Sequence, residues 1–438
     1  MRYSLSSRFA RLTLAAFVAL LALAWVGRVN ALQSLQQPCR LWAFCLPASA
    51  VQWLRLAHLL LAALTGALVL WTAALAWRVH RENRLLLPLT TVVVVLFFGQ
   101  ALVGAVLVSR GWPLHLVGLH ALTAIALWIA LAALVFVGGV TPDPVSATAR
   151  RLSRRRAVDF LALTKPLIVG LLLVTTYAGL VAGSGRWPEL GLTAWTLLGG
   201  ALAAGGSSAL NQYIDRGLDR RMQRTAKRPL AEGRLTPAEG LSFGLALSIA
   251  SYYVVASFVN FLAALLCLTG IIYYVLVYSM LLKKATVQNI VIGGGAGAIP
   301  PMVGWAAATG ELSLTAALLF AIVFMWTPPH FWALALVRRR DYERAGVPML
   351  PVVRGEAETR KQILIYSVLL VAISLVLPAV GLAGWIFTAA AVIFGAALLV
   401  AAYGVWRTGG NRMAWGMYRW SSVYLALIFV AVIVDTVV

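Results

Sequence analysis

Three oxygen-bearing side chains recur at intervals of four residues near the middle of the chain: Asn211, Asp215 and Asp219. On an α-helix this spacing places all three on one face, one turn apart. Carboxylate and amide oxygens suit Mg²⁺, which commonly takes a few protein ligands and completes its shell with water and substrate phosphates. The pattern therefore predicts a helix whose polar face binds a diphosphate through Mg²⁺.

An alternative interpretation is that the two aspartates only form ion pairs within their own segment. The local partners would be Arg216, Arg220 or Arg224. Acidic side chains at the end of a membrane helix are costly unless they are paired or functional, so both interpretations account for them. The small residues at 205–208 favour ligand binding, because they let helices approach closely or leave room for a substrate.

Three basic side chains in separate predicted cytoplasmic segments could serve the same chemistry: Lys165, Arg228 and Lys283. When a bond to a diphosphate breaks, negative charge grows on the leaving oxygen, and a nearby cation stabilises that charge. Taken singly, each residue also fits a basic position that marks the cytoplasmic side of a membrane protein. Their role depends on whether the fold brings them to the acidic face.

The elements that position these residues are predicted to be membrane helices. Of the 438 residues, 61% are hydrophobic and 11% are charged, which leaves too little polar surface for a domain in water. About thirteen apolar runs are long enough to cross the hydrocarbon layer as helices. The net charge of +22 comes from Lys and Arg between these runs, as in cytoplasmic loops, so we expect no nucleic-acid binding.

A proline- and arginine-rich segment at residues 141–156 interrupts the helical pattern and predicts a basic cytoplasmic linker. We predict a four-helix domain before it, at residues 1–140, and a nine-helix domain after it, at residues 157–438. The distribution of basic loops predicts a multi-pass protein of the cell (inner) membrane. Its N-terminus is then cytoplasmic and precedes an uncleaved helix, and its C-terminus is external.

Two of the three cysteines, Cys39 and Cys45, lie six residues apart in the polar stretch after the first apolar run. That stretch is predicted to be external, where the oxidising environment permits a disulfide. Two unpaired thiols are the alternative. Cys267 lies within an apolar run and is interpreted as a packing residue.

Several further blocks of sequence occur in a characteristic order. The acidic run, Asn-x₃-Asp-x₃-Asp, is followed by Arg-Thr-x₂-Arg-Pro-Leu at residues 224–230. The other blocks span residues 164–166, 289–305, 326–332 and 341–351. Together they resemble the intramembrane UbiA-type prenyltransferase superfamily, and within it the haem farnesyltransferases, also called haem O synthases. The similarity covers roughly residues 157–438.

This resemblance implies nine helices around a cavity that opens to the cytoplasm and laterally to lipid. It also implies a mechanism in which Mg²⁺ binds farnesyl diphosphate, ionisation gives an allylic cation, and the 2-vinyl group of haem B attacks it. Water then supplies a hydroxyl group. The residues that it places at the site are Asn211, Asp215, Asp219, Arg224, Arg228, Lys165, Lys283, His330 and Asp341.

His330 is the only histidine of the second predicted domain and follows a Pro-Pro pair within an apolar run. The matching block implies that it contacts haem or handles a proton, whereas a hydrogen-bonded packing role is the alternative. Related prenyltransferases carry a second Asp-x₃-Asp motif. Here the corresponding loop retains Asp341, with Glu343 nearby.

Residues 1–140 contain two histidines well inside apolar runs, His58 and His120. Antiparallel packing would bring them to one depth, where two neutral imidazoles can ligate one haem iron. The four runs resemble one half of haem A synthase, although Arg55 stands where that family usually has an acidic residue. This resemblance implies haem binding, delivery or docking, with haem A synthase or terminal oxidase assembly factors as partners. Four scaffolding helices are the alternative.

Two other functions compete with haem farnesylation. The same fold prenylates aromatic quinone precursors, but the blocks around His330 and at residues 293–305 disfavour that acceptor. A transporter also places charged residues near helix ends, although no inverted repeat is visible in the sequence. Dependence of product formation on Mg²⁺ and a prenyl diphosphate distinguishes an enzyme from a transporter.

Overall fold

The computed structural model describes residues 7–33, 49–141 and 154–438. Cys39 and Cys45 lie outside these residues, as do residues 142–153 of the predicted linker. Every regular element within the described ranges is a helix, which confirms the predicted all-α fold class.

The helices before residue 141 are α1 (Arg8–Gln33), α2 (Ala50–Val79), α3 (Leu86–Ser109) and α4 (Leu114–Val140). Those from residue 154 onwards are α5 (Arg154–Leu163), α6 (Pro166–Ser184), α7 (Leu190–Asp219), α8 (Pro229–Glu232), α9 (Pro237–Phe258), α10 (Phe261–Ile272), a π-helix (Tyr273–Leu282), α11 (Asn289–Thr309), α12 (Leu314–Val337), α13 (Arg339–Ala345), α14 (Leu350–Val353), α15 (Gly355–Ala379), α16 (Trp385–Thr408) and α17 (Gly410–Val437).

Twelve helical spans among the described residues are long and apolar enough to cross a membrane, which makes this a multi-pass membrane protein. The sequence predicted about thirteen, and the difference is α7. That helix has 30 residues, but its C-terminal half carries the small and polar residues from Gly205 to Asp219. Many large apolar side chains on the spanning helices are exposed, as expected for surfaces that face lipid.

Packing divides the described residues into two compact units. Unit 1 comprises the described part of Met1–Ser153 together with Thr236–Ile249, and unit 2 comprises Arg154–Leu235 and Ala250–Val438. The first part of α9 therefore packs with the N-terminal helices, although it lies far along the chain. Sequence order alone did not predict this assignment.

The contacts of α9 within unit 1 explain that assignment. Thr236 and Glu239 form a capping box, in which the backbone N–H of each donates to the side chain of the other, at 2.9 and 3.2 Å. The Glu239 carboxylate is buried and forms an ion pair with Arg81 at 3.0 Å. Ala238 joins the apolar core of α1 to α4, which includes Phe9 and Leu131.

Within unit 2, α6 and α11 pack backbone against backbone. A Cβ atom added at Gly304 would lie 1.9 Å from the carbonyl oxygen of Thr176, and one added at Gly179 would lie 2.1 Å from that of Pro301. Only glycine fits at such distances. This close packing holds α6, which begins immediately after Lys165, in a fixed position beside α11.

Lys165 itself has a left-handed backbone conformation, with φ of 52°. Pro166 then occupies the first position of α6, where its missing N–H removes no helical hydrogen bond. A left-handed lysine costs about 1 kcal/mol relative to an ordinary conformation, and such costs are characteristic of functional positions. The turn at residues 164–166 therefore gives the Lys165 side chain a defined starting direction.

Candidate active site

The C-terminal half of α7 carries the predicted polar face. Asn211, Asp215 and Asp219 are all buried, and Asp215 is 0% exposed. The Asn211 amide donates to Asp215 Oδ2 at 2.8 Å, which demonstrates the side-by-side placement expected from the four-residue spacing. Burying two carboxylates is costly without compensating charges.

Three cations from three separate segments surround this face. Lys165 donates to Asn211 Oδ1 at 3.2 Å, and Arg228 contacts both carboxylate oxygens of Asp219 at 3.0 Å. Lys283 forms an ion pair with Asp215. The fold thus brings together residues that are up to 118 positions apart in the sequence, between 165 and 283.

The local arginines do not supply these ion pairs. Arg216 donates to the carbonyl oxygen of Tyr213, and Arg220 donates to that of Ala231 at 2.7 Å. Arg224 is exposed in the turn after α7 and forms no ion pair among the described residues. The interpretation that Arg216, Arg220 or Arg224 pairs with the two aspartates is therefore wrong: Asp219 pairs with Arg228, nine residues further on, and Asp215 pairs with the distant Lys283.

The π-helix supplies contacts that sequence reasoning missed. Ser279 is buried, accepts a hydrogen bond from the Asn211 amide at 3.0 Å and donates to the carbonyl oxygen of Tyr274 at 2.8 Å. The rings of Tyr274 and Tyr278 stack with centroids 5.5 Å apart. Ser279 is a single hydroxyl in an otherwise apolar run before Lys283, so the sequence carries no signal for this contact.

The environment of Lys165 changes its protonation. Burial, followed by the nearby charges of Arg228 and Lys283, lowers the pKa of Lys165 from 10.5 to about 7, although Asp219 and Asp215 act in the opposite direction. An isolated lysine would be fully charged at neutral pH. Here the ammonium form is balanced against the neutral amine until an additional anion binds.

The acidic face fits a Mg²⁺ site that a substrate completes. Asp215 Oδ1 is buried without a hydrogen-bond partner among the described residues, so one carboxylate oxygen is available for a ligand. No cluster of three or more His, Cys, Asp or Glu side chains that could hold a metal occurs in the described ranges. Two carboxylates, one amide and substrate phosphate oxygens match the usual Mg²⁺ arrangement, whereas they do not match an all-protein metal cage.

His330 lies on α12 between two aromatic rings. Trp326 stacks on it with centroids 4.3 Å apart, and Tyr418 of α17 stacks on it at 4.5 Å. Its Nδ1 atom lies 2.8 Å from Ser421 Oγ, and no hydrogen bond to Nε2 is present among the described residues. The ring is therefore held in one orientation.

Asp341 is buried on the short helix α13 and forms an ion pair with Arg344 of the same helix. No described hydrogen bond or ion pair links it to the acidic face of α7. Its neighbour Tyr342 packs in an apolar cluster with Leu218 and Met222, close to the end of α7. The structure thus brings α13 to this region without forming a second carboxylate pair.

In unit 1, His58 and His120 are close enough to interact electrostatically. Each imidazole faces a glycine: a Cβ atom at Gly27 would lie 2.9 Å from His58 Cε1, and one at Gly104 would lie 3.1 Å from His120 Cε1. Gln100 Nε2 lies 3.1 Å from His120 Nε2, and His120 Nδ1 is buried without a hydrogen-bond partner among the described residues.

A buried Asn and Asp face surrounded by cations, in a helical membrane unit, suits a ligand that carries phosphate groups and Mg²⁺. A model of the UbiA prenyltransferase family matches residues 172–423. The chain therefore belongs to this family and is an enzyme, a prenyltransferase.

Curated relatives match most of the chain. The protein is 41% identical over 459 residues to protoheme IX farnesyltransferase of Roseiflexus sp. (strain RS-1), covering 99% of this chain and 85% of the relative. It is 50% identical over 279 residues to the enzyme of the same name from Symbiobacterium thermophilum, covering 63% of this chain and 93% of that one.

A solved structure shows the same fold. The structure of a digeranylgeranylglyceryl phosphate synthase superimposes with a TM-score of 0.56 at 16% sequence identity, covering 65% of this chain and 99% of that one.

Proposed function

We propose that this enzyme transfers the farnesyl group of farnesyl diphosphate to the 2-vinyl group of protohaem IX (haem B), giving haem O for the biosynthesis of the haems of terminal oxidases. One observation carries the proposal: three cations from separate segments converge on the buried face formed by Asn211, Asp215 and Asp219. The names of the similar proteins support haem as the acceptor.

The residues at this face have separate roles in binding the diphosphate and in the ionisation of its bond to the farnesyl chain. Asn211, Asp215 and Asp219 would hold Mg²⁺, which when bound neutralises diphosphate charge. Lys165, Arg228 and Lys283 bind the diphosphate oxygens and stabilise the negative charge that develops on them. Arg224, exposed at the rim, attracts the anionic substrate from the cytoplasmic side.

The proposed reaction breaks one C–O bond and forms one C–C bond and one new C–O bond. The bond between C1 of the farnesyl chain and the diphosphate oxygen breaks, and its electron pair leaves with diphosphate. The π electrons of the haem vinyl group form a new bond to C1, which leaves a positive charge on the vinyl carbon attached to the ring. Water adds to that carbon and loses a proton, so the products are haem O, diphosphate and one proton.

The acceptor is proposed to contact His330. The imidazole has aromatic rings on both faces and Ser421 at Nδ1, so Nε2 is the nitrogen left to contact haem. An oriented imidazole with a fixed second hydrogen bond is the usual arrangement for contact with iron. Asp341 is kept as a proposed site residue, because it is buried and its neighbour Tyr342 packs close to the end of α7.

Product analysis tests the reaction directly. Purified enzyme is incubated with haem B, farnesyl diphosphate and Mg²⁺, with or without a chelator. The molecular masses of the extracted haems are then measured by mass spectrometry. Hydroxyethylfarnesyl haem that disappears with chelator is the expected product. Intact haem together with a prenylated aromatic acceptor would indicate the quinone-precursor alternative, and no product with either acceptor would favour a transporter.

The proposed location is the cell (inner) membrane, with the N-terminus and the active site at the cytoplasmic face and the C-terminus outside. The proposed domains are residues 1–140 and 157–438, joined by the basic linker 141–156, with a Cys39–Cys45 disulfide in the external loop. Haem A synthase or terminal oxidase assembly factors are the proposed partners. Cysteine labelling from either side of sealed vesicles tests this orientation.

A haem-binding role for the N-terminal helices is a second proposal, supported by the proximity of His58 and His120. The Nδ1 atoms of His58 and His120 are both buried without a hydrogen-bond partner among the described residues, so each imidazole has a nitrogen available for an axial bond to iron. The relevant haem is the fraction that co-purifies with the full chain and stays bound when an excess of a haem-scavenging apoprotein is added. Replacement of both histidines by Ala should remove this haem. Unchanged haem absorbance would refute axial ligation by these residues.

A further inference from the structure

The short helix α5 (Arg154–Leu163) directly precedes the spanning helix α6 and cannot cross a membrane itself. Its 10 residues are not among the candidate spans, and they give a length of about 15 Å, about half of the hydrocarbon thickness. The chain passes from α5 through the turn at Lys165 into α6. The helix α5 therefore lies close to the level at which α6 enters the membrane.

Contacts on one side of α5 determine which of its side chains face the protein. The Asp159 carboxylate is buried and pairs with Arg234 at 2.9 Å. The Gln212 amide of α7 donates to the carbonyl oxygen of Leu163 at 2.9 Å, and the Leu163 side chain is fully buried. Asp159 and Leu163 are four residues apart and so lie on one face of the helix. These contacts fix the rotation of α5 about its axis.

The opposite face of α5 carries exposed apolar side chains. Val158 and Leu161, three residues apart, are both 58% exposed. Exposed apolar side chains continue at the start of α6, where Leu167 is 91% exposed and Ile168 is 56% exposed. A helix on the surface of a protein in water turns its charged side chains outward and its apolar ones inward, so α5 has the reverse arrangement. This arrangement suits a helix that lies in the interface of a membrane.

The first turn of α5 supplies positive charge beside this apolar face. Arg154 and Arg155 are exposed and form no ion pair with any residue that the structure describes. Arginine pairs well with phosphate oxygens, and basic residues beside a membrane attract acidic lipids. A bilayer leaflet presents phosphate groups next to acyl chains, so its chemistry is complementary to arginines next to an apolar face.

We propose that α5 is an interfacial helix that binds acidic phospholipids in the leaflet where α6 begins. Val158 and Leu161 lie at the boundary between the headgroups and the acyl chains, and Arg154 and Arg155 contact headgroup phosphates. Because α5 ends at the turn that carries Lys165, this anchoring holds the turn at a constant depth in the membrane. Lipid binding of this kind does not depend on prenyl transfer or on its acceptor.

A fluorescent label on α5 tests what covers its exposed face. The three cysteines are replaced by Ala, Leu161→Cys is labelled with a bimane, and the full chain is reconstituted in vesicles of phosphatidylglycerol and phosphatidylcholine in equal amounts. Quenching by lipids with brominated acyl chains is compared with quenching by acrylamide in the water. Val400→Cys, on the lipid-exposed surface of α16, is the lipid control, and Gln223→Cys, exposed in the turn after α7, is the water control.

Brominated lipid should quench the label at Leu161→Cys about as strongly as the label at Val400→Cys, whereas acrylamide should quench it far less than the label at Gln223→Cys. Val158→Cys, on the same face of α5, repeats the measurement at a second position. Phosphatidylglycerol brominated in its acyl chains should quench the α5 label more strongly than brominated phosphatidylcholine at the same concentration.

Substitution of the arginines tests the recognition of the acidic headgroup. The preference of the α5 label for phosphatidylglycerol should fall about fivefold for each arginine replaced, in Arg154→Gln and in Arg155→Gln. The matched control combines Arg407→Gln with Arg412→Gln, which removes two exposed arginines near the ends of α16 and α17. This control should leave the preference unchanged.

Any of four results would overturn the proposal. Strong quenching by acrylamide at both Leu161→Cys and Val158→Cys would mean that the face lies in water. Weak quenching by acrylamide and by lipid at both positions would mean that protein covers the face. Equal quenching by the two brominated lipids would rule out a preference for acidic headgroups. An equal loss of preference in the control with Arg407→Gln and Arg412→Gln would mean that the attraction depends on net charge and does not belong to α5.

Discussion

Binding of the prenyl diphosphate should weaken as the pH rises through 7, because Lys165 loses its charge. Burial and the nearby cations Arg228 and Lys283 lower the pKa of Lys165 to about 7. The group is therefore charged below this pH and neutral above it. The charged form is the one that can donate to a diphosphate and neutralise part of its charge.

The size of the effect follows from the titration. A group with a pKa of about 7 is about one half charged at pH 7 and about one hundredth charged at pH 9. The parameter kcat/KM reports groups of the free enzyme, so its value for the prenyl diphosphate should fall about 50-fold over this interval. Bound diphosphate favours the ammonium form, so kcat should fall less steeply.

The assay compares three enzymes across pH 6 to 9 at constant ionic strength. In Lys165→Arg the side chain stays charged throughout, and in Lys165→Met it is neutral throughout. Titration of the substrate affects all three enzymes alike. The ratio of kcat/KM of the wild type to that of Lys165→Arg therefore reports the titration of Lys165 alone. This ratio should decline above pH 7, and Lys165→Met should show a low ratio to Lys165→Arg at every pH.

A constant ratio of wild-type to Lys165→Arg activity over the whole range would refute the reasoning, since it would mean that Lys165 stays charged or does not bind the substrate. A decline in kcat as steep as that in kcat/KM would contradict the expectation that bound diphosphate raises the charged fraction of Lys165.

Asp215→Asn and Asp219→Asn should each lower kcat about 100-fold, because each removes the negative charge of a proposed Mg²⁺ ligand but keeps the side-chain shape. The control is Asp159→Asn, whose carboxylate pairs with Arg234. Gly304→Ala should lower the unfolding temperature in detergent, since overpacking costs about 1–3 kcal/mol and the new Cβ would meet a backbone oxygen at 1.9 Å. Ser421→Ala should weaken haem binding about tenfold without changing farnesyl diphosphate binding, because it removes the hydrogen-bond partner of His330 Nδ1. Spectral titration measures the affinity for haem, and calorimetry measures the affinity for farnesyl diphosphate.

Specific outcomes would contradict these three expectations. Normal turnover by Asp215→Asn would sink the proposed metal site. If Gly297→Ala, where no atom lies within 4 Å of the new Cβ, were as destabilising as Gly304→Ala, close backbone contact would not be the cause. Equal losses of haem and prenyl diphosphate affinity in Ser421→Ala would indicate a general packing defect.

Much of the site was predictable because its chemistry repeats with the period of a helix. The four-residue spacing of Asn211, Asp215 and Asp219 predicted one polar face, and the structure places the first two in direct contact. Lys165, Arg228 and Lys283 were recognisable as candidates from their position in separate predicted cytoplasmic segments. The contacts of Lys165 with Asn211 and of Lys283 with Asp215 were not predictable, since they depend on packing between segments distant in sequence.

The parts that escaped prediction depend on local geometry or on long-range packing. The π-helix has the composition of an ordinary apolar helix, so the contact between Ser279 and Asn211 left no pattern in the sequence. The assignment of the first part of α9 to unit 1 depends on the buried pair of Glu239 and Arg81, which are separated by more than a hundred residues. The predicted number of spanning helices was about one too high, because the C-terminal half of α7 carries small and polar residues in place of apolar ones.

The backbone contact between α6 and α11 also determines how the candidate site responds to heat. Segments that open locally are those with few close contacts, and amide hydrogen exchange detects them. The tightly packed glycines Gly179 and Gly304 make α6 one of the last segments to open, so Lys165 at its start keeps its place. Lys283 instead follows a π-helix with weaker hydrogen-bond geometry. On warming, the proposed diphosphate site should therefore lose its contact with Lys283 first, while Lys165 still donates to Asn211.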